Sequence, residues 1–253
     1  MSRKAAIILT RIAVIVAGIL ALEILCRTGI ISPLTLIPPS EMASVLWELI
    51  VSGKITDDIV QTFTTVALAF VLSVALGFVL GALTHALPRV RRALDPLLAS
   101  YYSIPFFVFY PLLIALFGLN TIPLIVIGLV FATAAMMIAT LNGLDRVPRV
   151  MEKTARVLRL SRARAVLSIT LPSAAPYLFT GLKLALAYSF IGVIAGEFIL
   201  SGGGLGFSIA YAYNNFDSQT MYALMMFVLA IVTLVNGVLH VIEQRLLARR
   251  AGR

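Results

Sequence analysis

The amino-acid sequence predicts an all-α membrane protein with about six transmembrane helices. Of its 253 residues, 60% are hydrophobic and only 12% are charged, whereas a soluble domain is about 45–50% apolar and about 25% charged. So few polar and charged residues cannot cover the surface of a globular protein in water. The charged residues also lie in short clusters between apolar runs of roughly 20 residues, the length that crosses a bilayer.

The first apolar run, Ala5–Leu25, follows a basic N-terminus, a pattern that secretory signal peptides share. This run is nevertheless long for a signal peptide. It also contains Arg11 and Glu23 and has no small-residue cleavage site. We therefore favour an uncleaved transmembrane helix within residues 1–30.

The connection that follows, residues 31–61, contains a candidate short helix in the stretch LIPPSEMASVLWELI. Pro39 suits the first turn of a helix, and the Ser40 side chain can cap the amides that follow. Val45, Leu46 and Leu49 then recur at helical spacing. We expect a short amphipathic helix that lies on the membrane surface or packs on the bundle.

Five further apolar runs complete the predicted set of six. In the first of them, Gly77 and Gly81 form a G-x-x-x-G pattern, which favours close packing of helices in membranes. The five predicted spans are Thr62–Ala86, Leu97–Phe117, Ile122–Leu141, Tyr177–Leu200 and Met221–Ile242.

The predicted third span carries the aromatic stretch YYSIPFFVFYP. Pro105 and Pro111 interrupt helical hydrogen bonding, and helices broken at membrane depth often line a cavity. The aromatic side chains are therefore candidates for a solute pathway, although core packing or an interfacial belt is the simpler explanation of any single ring. These candidates are Tyr101, Tyr102, Phe106, Phe107 and Tyr110.

The distribution of basic residues predicts the orientation of the chain. Sixteen of the 20 Lys and Arg residues fall in the N-terminus, the second and fourth connections, and the C-terminal tail. Cytoplasmic segments carry this excess, so both termini, including the basic tail 247–253, are expected inside a bacterial plasma (inner) membrane. Residues 31–61 then form a periplasmic connection, and we expect contact with lipid but not with nucleic acid.

The fourth connection, residues 142–176, is a long basic loop in which apolar residues alternate with the charges. The segment 154–164 contains good helix formers without Gly or Pro, and Ser161 can break or cap a helix. We expect two short amphipathic helices. Their basic side chains suit lipid phosphates and their apolar side chains suit a groove in a partner protein, and periodicity alone does not choose between these.

The sequence has no recognisable catalytic or nucleotide-binding motif. A phosphate-binding loop reads G-x-x-x-x-G-K-[ST], and no such string occurs. The stretch SGGGLG, residues 201–206, follows a membrane helix and is better explained as a turn. With two histidines and a single cysteine, Cys26, we expect no metal, no cofactor and no enzymatic activity.

Glu197 and Lys183 are ionisable residues within the predicted fifth span, where charges are costly. Glu197 lies toward the outer interface. It is either a gate or pathway group, or a carboxylate bonded to neighbouring backbone or tyrosine groups, and both alternatives remain open. Lys183 is expected to extend its amine to the cytoplasmic phosphates.

Several stretches together resemble the binding-protein-dependent permeases of ABC importers. The stretch TARVLRLSRARAVLSITLP, followed by SAAPYLFTGLKLALAYSFIGVIAGEFILSGGGLGF, is similar to the cytoplasmic EAA loop of that family and the span after it. The stretches IPPSEMASVLWELI and RRALDPLLASYYSIPFFVFYPLLIALFGLN also resemble its nitrate, sulfonate and taurine branch. The resemblance covers about Leu36 to Leu246 and implies a permease domain at 62–246.

The resemblance implies a function for the basic loop. In that family the loop is a coupling helix that docks on a separate cytoplasmic ABC ATPase, beside an external solute-binding protein and a second permease copy. The solute would be a small anion or a vitamin precursor. We expect residues 152–172 to couple the ATPase to the pathway, with ATPase contacts at Arg156, Leu158, Arg159, Leu160, Ser161 and Arg162. A homodimer is the expected pairing.

One residue departs from the family pattern. Arg159 stands where the family has a glycine that permits a tight turn between two short helices, and Glu152 falls one place early. We expect either a different turn at Arg159 or a continuous helix with the bend moved to Ser161.

Two other functions remain as alternatives. A stand-alone secondary transporter or channel would need an intramembrane coupling site, for which Glu197 and Lys183 are the only candidates. A membrane enzyme or scaffold would use the loop only for docking. An ATPase that co-purifies through residues 152–172 separates the permease from both.

Overall fold

The computed structural model describes residues 3–32 and 35–251, and the described chain is helical without strands. Its helices in chain order are α1 (Arg3–Arg27), α2 (Pro39–Val51), α3 (Thr56–Ala86), α4 (Pro88–Ser100), α5 (Tyr110–Phe117), α6 (Thr121–Asp145), α7 (Arg149–Val157), α8 (Arg162–Ala165), α9 (Leu171–Leu200), α10 (Leu205–Asn214) and α11 (Ser218–Ala251). A wider π-helical turn, Val166–Thr170, joins α8 to α9 without a break.

Four helical segments of the described chain are long and apolar enough to cross a membrane: Thr56–Ala86, Thr121–Asp145, Arg162–Ile199 and Ser218–Arg245. They correspond to the predicted second, fourth, fifth and sixth spans, so the predicted class of all-α membrane protein is confirmed. The predicted first span coincides with the 25-residue helix α1. The count of six spans stays a prediction.

The predicted third span is divided in the structure. Between α4 and α5 the chain forms only two short 3₁₀ turns, Tyr101–Ser103 and Phe106–Phe109. Ile104, which precedes Pro105, has extended dihedral angles of −87° and 117°. A proline disfavours helical geometry in the residue before it and supplies no amide hydrogen of its own, so the interruption follows from the sequence.

Helices α3, α6 and α9 form the core of the bundle through glycine contacts. A Cβ atom on Gly77 would lie 2.6 Å from the Thr133 carbonyl oxygen, and one on Gly81 would lie 2.7 Å from Thr140 Cβ. One on Gly192 would lie 2.8 Å from Gly128 Cα. The close packing predicted for the G-x-x-x-G pattern is therefore confirmed, with α6 as the helix that α3 meets.

The contacts also set the directions of the helices. In the contacts between α3 and α6, residue numbers increase in the same direction along both helices, so these helices are parallel. In the contacts between α6 and α9, residue numbers increase in opposite directions, so these helices are antiparallel. The 142–176 loop therefore lies at one end of the bundle, called here the loop end. Helices α2 and α10 lie at the opposite end, called here the far end.

The far end is closed by an apolar cluster in which Ile55, Leu205, Ile209 and Leu224 are buried. Helix α2 packs on α11 there, with Leu46 and Leu49 against the cluster. The predicted Ser40 cap is wrong, because the residue at the N-cap position is Pro38 and the Ser40 amide itself donates to Glu23 Oε2 at 3.0 Å. Ser40 instead donates its hydroxyl to Glu23 Oε1 at 2.6 Å and so attaches α2 to α1.

Candidate functional site

The 142–176 loop folds as two short helices, as its sequence predicts. Helix α7 follows Pro148 and ends at Val157, with Leu158 as its C-cap. Ser161 then begins α8, because its Oγ accepts a hydrogen bond from the Arg164 amide at 3.4 Å. Since α8 continues into α9, a displacement of the loop acts directly on a membrane-spanning helix.

Arg159 forms the turn between α7 and α8 in the left-handed conformation, with φ of 50°. The Leu160 amide donates to the Ala155 carbonyl at 3.0 Å, and the Arg159 amide donates to the Arg156 carbonyl, also at 3.0 Å. This pair of bonds is the Schellman motif, in which glycine is the usual residue. Both expected alternatives, a different turn or a bend moved to Ser161, are therefore wrong, because an arginine adopts the glycine geometry.

Five of the six residues predicted to contact the ATPase have exposed side chains, and Leu160 is half-buried. Leu160 lines a concavity of about 510 Å³ with Arg156, Arg162 and Ile169. The apolar residues Val157 and Leu158 are 81% and 63% exposed. The surface formed by α7, the Arg159 turn and α8 thus presents guanidinium groups beside exposed apolar side chains.

The opposite side of the loop is attached to α6 and α9. Val147 and Ala155 are buried, and Ser173 donates its hydroxyl to the Met151 sulfur at 3.4 Å. Arg146 donates to the Tyr177 hydroxyl at 3.1 Å, with its guanidinium carbon 5.3 Å from the centre of that ring. The loop is therefore fixed to the two helices that it connects.

Glu197 is fully buried at the far end of α9. Its carboxylate accepts a hydrogen bond from the Thr62 hydroxyl, which lies 2.9 Å from both oxygens, and another from the Gly206 amide at 2.9 Å. Thr62 Oγ1 in turn accepts from the Leu205 amide at 2.8 Å. The carboxylate is bonded to backbone and side-chain donors, which matches the second alternative given for Glu197.

A second carboxylate, Asp58, completes this arrangement at the start of α10. It accepts from the Gly204 amide at 2.9 Å and from the Ser208 hydroxyl. The first amides of a helix lack intrahelical partners and carry partial positive charge, so two carboxylates stabilise α10 here. We call Asp58, Thr62, Glu197 and the first turn of α10 the α10 clamp.

The glycine-rich stretch 201–206 makes the α10 clamp possible. Gly204 has φ of 98°, and a Cβ atom there would lie 2.3 Å from Glu197 Oε1. A Cβ atom on Gly206 would lie 2.5 Å from the Ile194 carbonyl oxygen. The stretch is a turn that brings α10 against α9, as its position after a membrane helix predicts.

The structure joins two of the five aromatic candidates, Tyr101 and Phe106, to rings of the core helices. The centres of the Tyr101 and Phe106 rings are 4.7 Å apart, Phe106 and Phe131 are 5.5 Å apart, and Phe131 and Tyr188 are 6.5 Å apart. The Tyr101 hydroxyl also donates to the Val130 carbonyl. The interrupted segment therefore packs on both α6 and α9.

The other aromatic candidates are placed differently. Tyr110 is buried at 1% exposure beside Leu124. The side chains of Tyr102 and Phe107 lie outside the described part of the structure. Phe131 and Tyr188 were missed because a single ring in an apolar helix carries no functional signal, and Asp58 and Thr62 were missed because their partners lie far along the chain.

Lys183 has a specific partner in place of the expected lipid phosphate. Its Nζ lies 2.5 Å from Glu243 Oε2 of α11, and each of these side chains is less than one third exposed, at 28% and 12%. Within the described residues, no group of three or more His, Cys, Asp or Glu side chains could hold a metal ion.

The chain is a helical membrane bundle with one structured loop between two core spans. The family described as binding-protein-dependent transport system inner membrane component matches residues 73–252. The chain belongs to this family, and it is a permease subunit of an ABC importer.

Relatives and a solved structure agree with this assignment. The chain is 29% identical to the nitrate import permease protein NrtB of Leptolyngbya laminosa, over 82% of this chain and 77% of that protein. It is 26% identical to the putative aliphatic sulfonates transport permease protein SsuC of Bacillus subtilis (strain 168), over 90% and 83%. The fold is similar to a chain of the MetNI methionine ABC transporter in an inward-facing conformation, with a TM-score of 0.63, 19% identity and coverage of 76% and 95%.

Proposed function

We propose that the 142–176 loop couples the transport pathway of this permease to a separate cytoplasmic ATPase. The observation that carries the proposal is the exposed surface of α7, the Arg159 turn and α8. A lipid interface also suits a basic amphipathic surface, and membership of the ABC importer family is what favours a protein partner. A groove in a protein accommodates both kinds of side chain, with apolar contacts at its centre and charges at its rim.

The proposed solute is a small anion of the nitrate or sulfonate type, including taurine-like sulfonates, with a vitamin precursor as the broader possibility. The names of the two relatives support the anion. Glu197 is not its ligand, because both carboxylate oxygens are engaged and like charges repel strongly at low dielectric constant.

The remaining partners follow from the family. A solute-binding protein delivers the solute at the far end of the bundle, and a second, identical permease copy completes the pathway. The chain of rings from Tyr101 to Tyr188 is the part of this subunit that we propose lies beside the solute, because it contains the interrupted third segment. Both termini and the 142–176 loop lie in the cytoplasm.

The test is charge reversal in the intact transporter. Arg156→Glu combined with Arg162→Glu should lower ATP-driven uptake in reconstituted vesicles by about tenfold or more, because like charges placed across an interface cost several kcal/mol. Arg89→Glu is the matched control, since Arg89 is an exposed basic residue at the same end but outside the loop. Unchanged coupled uptake in the double variant would refute the assigned docking surface.

A stand-alone secondary transporter needs an ionisable group that exchanges ions within the membrane. Lys183 is paired with Glu243, and Glu197 is bonded within the α10 clamp. Vesicles that contain this chain alone should therefore accumulate no solute under an imposed ion gradient. Accumulation without an ATPase would overturn the proposed function.

A further inference from the structure

Three helices meet at Asp145, the last residue of α6 and the point where the 142–176 loop begins. Arg91 of α4 binds both carboxylate oxygens, with Nη1 2.6 Å from Oδ1 and Nη2 2.5 Å from Oδ2. His85, near the end of α3, places Nδ1 3.1 Å from Oδ1. These partners lie 54 and 60 residues from Asp145 in the chain, so only tertiary packing brings them together.

The Arg91–Asp145 pair is bidentate and partly buried, unlike a typical surface ion pair. The two side chains are 33% and 31% exposed, and the guanidinium approaches the carboxylate with two parallel hydrogen bonds. Bidentate pairs of this kind fix orientation as well as distance, and lysine cannot reproduce them. The Asp145 carboxylate raises the pKa of Arg91 above its usual value, and Asp95, 3.9 Å from Arg91 Nε, adds to this effect.

Helix α4 has few other attachments. None of its residues is buried in the described structure, and its packing is mainly against the end of α3 and the 3₁₀ turn that follows. Leu97 is 65% exposed. Arg91 is therefore the side chain that ties α4 to α6 and to the root of the loop.

The attachment of α4 to α6 also bears on the aromatic segment that follows α4 in the chain. Helix α4 ends at Ser100 and continues directly into the interrupted segment that contains Tyr101 and Phe106. Any movement of α4 with the root of the loop is passed to those two rings, which pack on Phe131 of α6.

We propose that Arg91 is a positioning residue for ATP-driven transport, which makes α4 and the aromatic segment after it move together with the root of the 142–176 loop. This inference rests on the proposed function, in which an ATPase displaces that loop. The Arg91–Asp145 pair involves the helix that precedes the loop in the chain, α6. In the helix that follows the loop, α9, Lys183 forms an ion pair with Glu243 of α11.

The first test uses Arg91→Lys in the intact transporter with its ATPase and binding protein, reconstituted in vesicles. The positive charge remains but the bidentate geometry is lost. We expect the amount of solute taken up per ATP hydrolysed to fall about 5- to 10-fold, the lower end of the usual range for a coupling between sites. The ATPase should remain bound, and ATP hydrolysis should continue at close to its normal rate.

Two controls separate positioning from simple stability. Arg89→Lys changes an exposed arginine on the same turn and should leave uptake per ATP unchanged. The exchanged pair, Arg91→Asp with Asp145→Arg, restores the attraction with reversed polarity and should recover a substantial part of the coupling that either single change loses.

A covalent link gives an independent test. Arg91→Cys and Asp145→Cys are combined in a Cys26→Ser background and joined by a short bifunctional maleimide. Uptake per ATP should stay within about twofold of that of the unaltered protein, a change below the size of a typical coupling between sites. Loss of uptake on cross-linking would show that the two helices must separate, which overturns the proposal.

Unchanged uptake per ATP in Arg91→Lys would also overturn the inference. So would an exchanged pair that recovers nothing while its thermal unfolding matches that of the unaltered protein. These outcomes differ from failure of the proposed function, which would appear as an absence of ATP-driven uptake in the unaltered transporter.

Discussion

The buried carboxyl group of Glu197 accepts hydrogen bonds from donors on two other helices. The hydroxyl of Thr62 arrives from α3 and the amide of Gly206 from α10, each at 2.9 Å. A buried carboxylate is costly without such partners. The residue therefore joins three helices at the far end, and the α10 clamp holds α10 in one position relative to α3 and α9.

Replacement of Glu197 by glutamine should weaken the α10 clamp. The glutamine oxygen can still accept from the Gly206 amide, but its NH₂ then faces the Thr62 hydroxyl, whose own hydrogen loses its acceptor. We expect a loss of about 1–3 kcal/mol in the free energy of unfolding. The amide hydrogens of Leu205 and Gly206 should exchange faster with solvent, as measured by mass spectrometry.

Glu48→Gln is the matched control, because Glu48 is an exposed carboxylate on α2 at the same end. It should leave both the unfolding free energy and the exchange of residues 205–206 unchanged. Equal protection of those amides in the Glu197→Gln variant would contradict the assigned role of the carboxylate.

Arg159 shows how a residue with an unfavourable preference can keep the geometry of a turn. The left-handed conformation costs a residue other than glycine roughly 1–2 kcal/mol. The hydrogen bonds that end α7 and the cap that begins α8 restrict the chain between them, so the turn forms with an arginine. The guanidinium then stands on the proposed docking surface, where glycine would offer no side chain.

Among the helices, glycine determines which partners pack closely. Gly128 of α6 and Gly192 of α9 bring the two backbones into direct contact, while no atom lies within 4 Å of the Cβ position at Gly237 of α11. Helices in lipid associate by van der Waals packing, so these contacts contribute where the hydrophobic effect cannot.

Alanine at Gly192 and alanine at Gly237 should have opposite effects on the free energy of unfolding. Gly192→Ala places a methyl group 2.8 Å from Gly128 Cα, so α6 and α9 must separate. We expect a loss of about 1–3 kcal/mol. Gly237→Ala should gain up to about 1 kcal/mol from higher helix propensity. Thermal unfolding in detergent, followed by the fluorescence of Trp47, measures both, and equal shifts would contradict the packing described for α6 and α9.

The interrupted third segment shows that an apolar run of the length of a span need not form one continuous helix. The run Leu97–Phe117 has the composition of a span, but Pro105 divides it into turns and the short helix α5. Hydropathy reports only whether a segment prefers lipid. The hydrogen bonds lost at proline decide whether that segment is one helix.

At the scale of the whole molecule, the charges are strongly polarised between the two ends. The loop end carries most of the basic residues, whereas carboxylates such as Glu41, Glu48, Asp57 and Asp217 lie at the far end. Such an imbalance orients a membrane protein during insertion, with its basic end retained inside.

The orientation can be measured with single cysteines in a Cys26→Ser background, since Cys26 is the only native cysteine. A membrane-impermeant maleimide should label Glu48→Cys in intact spheroplasts. It should label Arg156→Cys only after the membrane is opened. Both positions are exposed in the single chain, so when the chain is expressed without its ATPase, access to the reagent depends on the side of the membrane. Labelling of Arg156→Cys in intact spheroplasts would reverse the assigned orientation.

The protein class, four long apolar helices, the interruption at Pro105 and the two short helices of the 142–176 loop are all predictable from the sequence. Hydropathy, proline geometry and helix capping depend on residues close together in the chain, so the order of residues is enough to predict them. Three other features became known from the folded bundle: Glu197 meets Thr62, 135 residues away, Arg91 meets Asp145, and Arg159 adopts a glycine conformation. Those outcomes depend on how far each helix slides and turns against its neighbours, and that register is set by packing of the whole bundle.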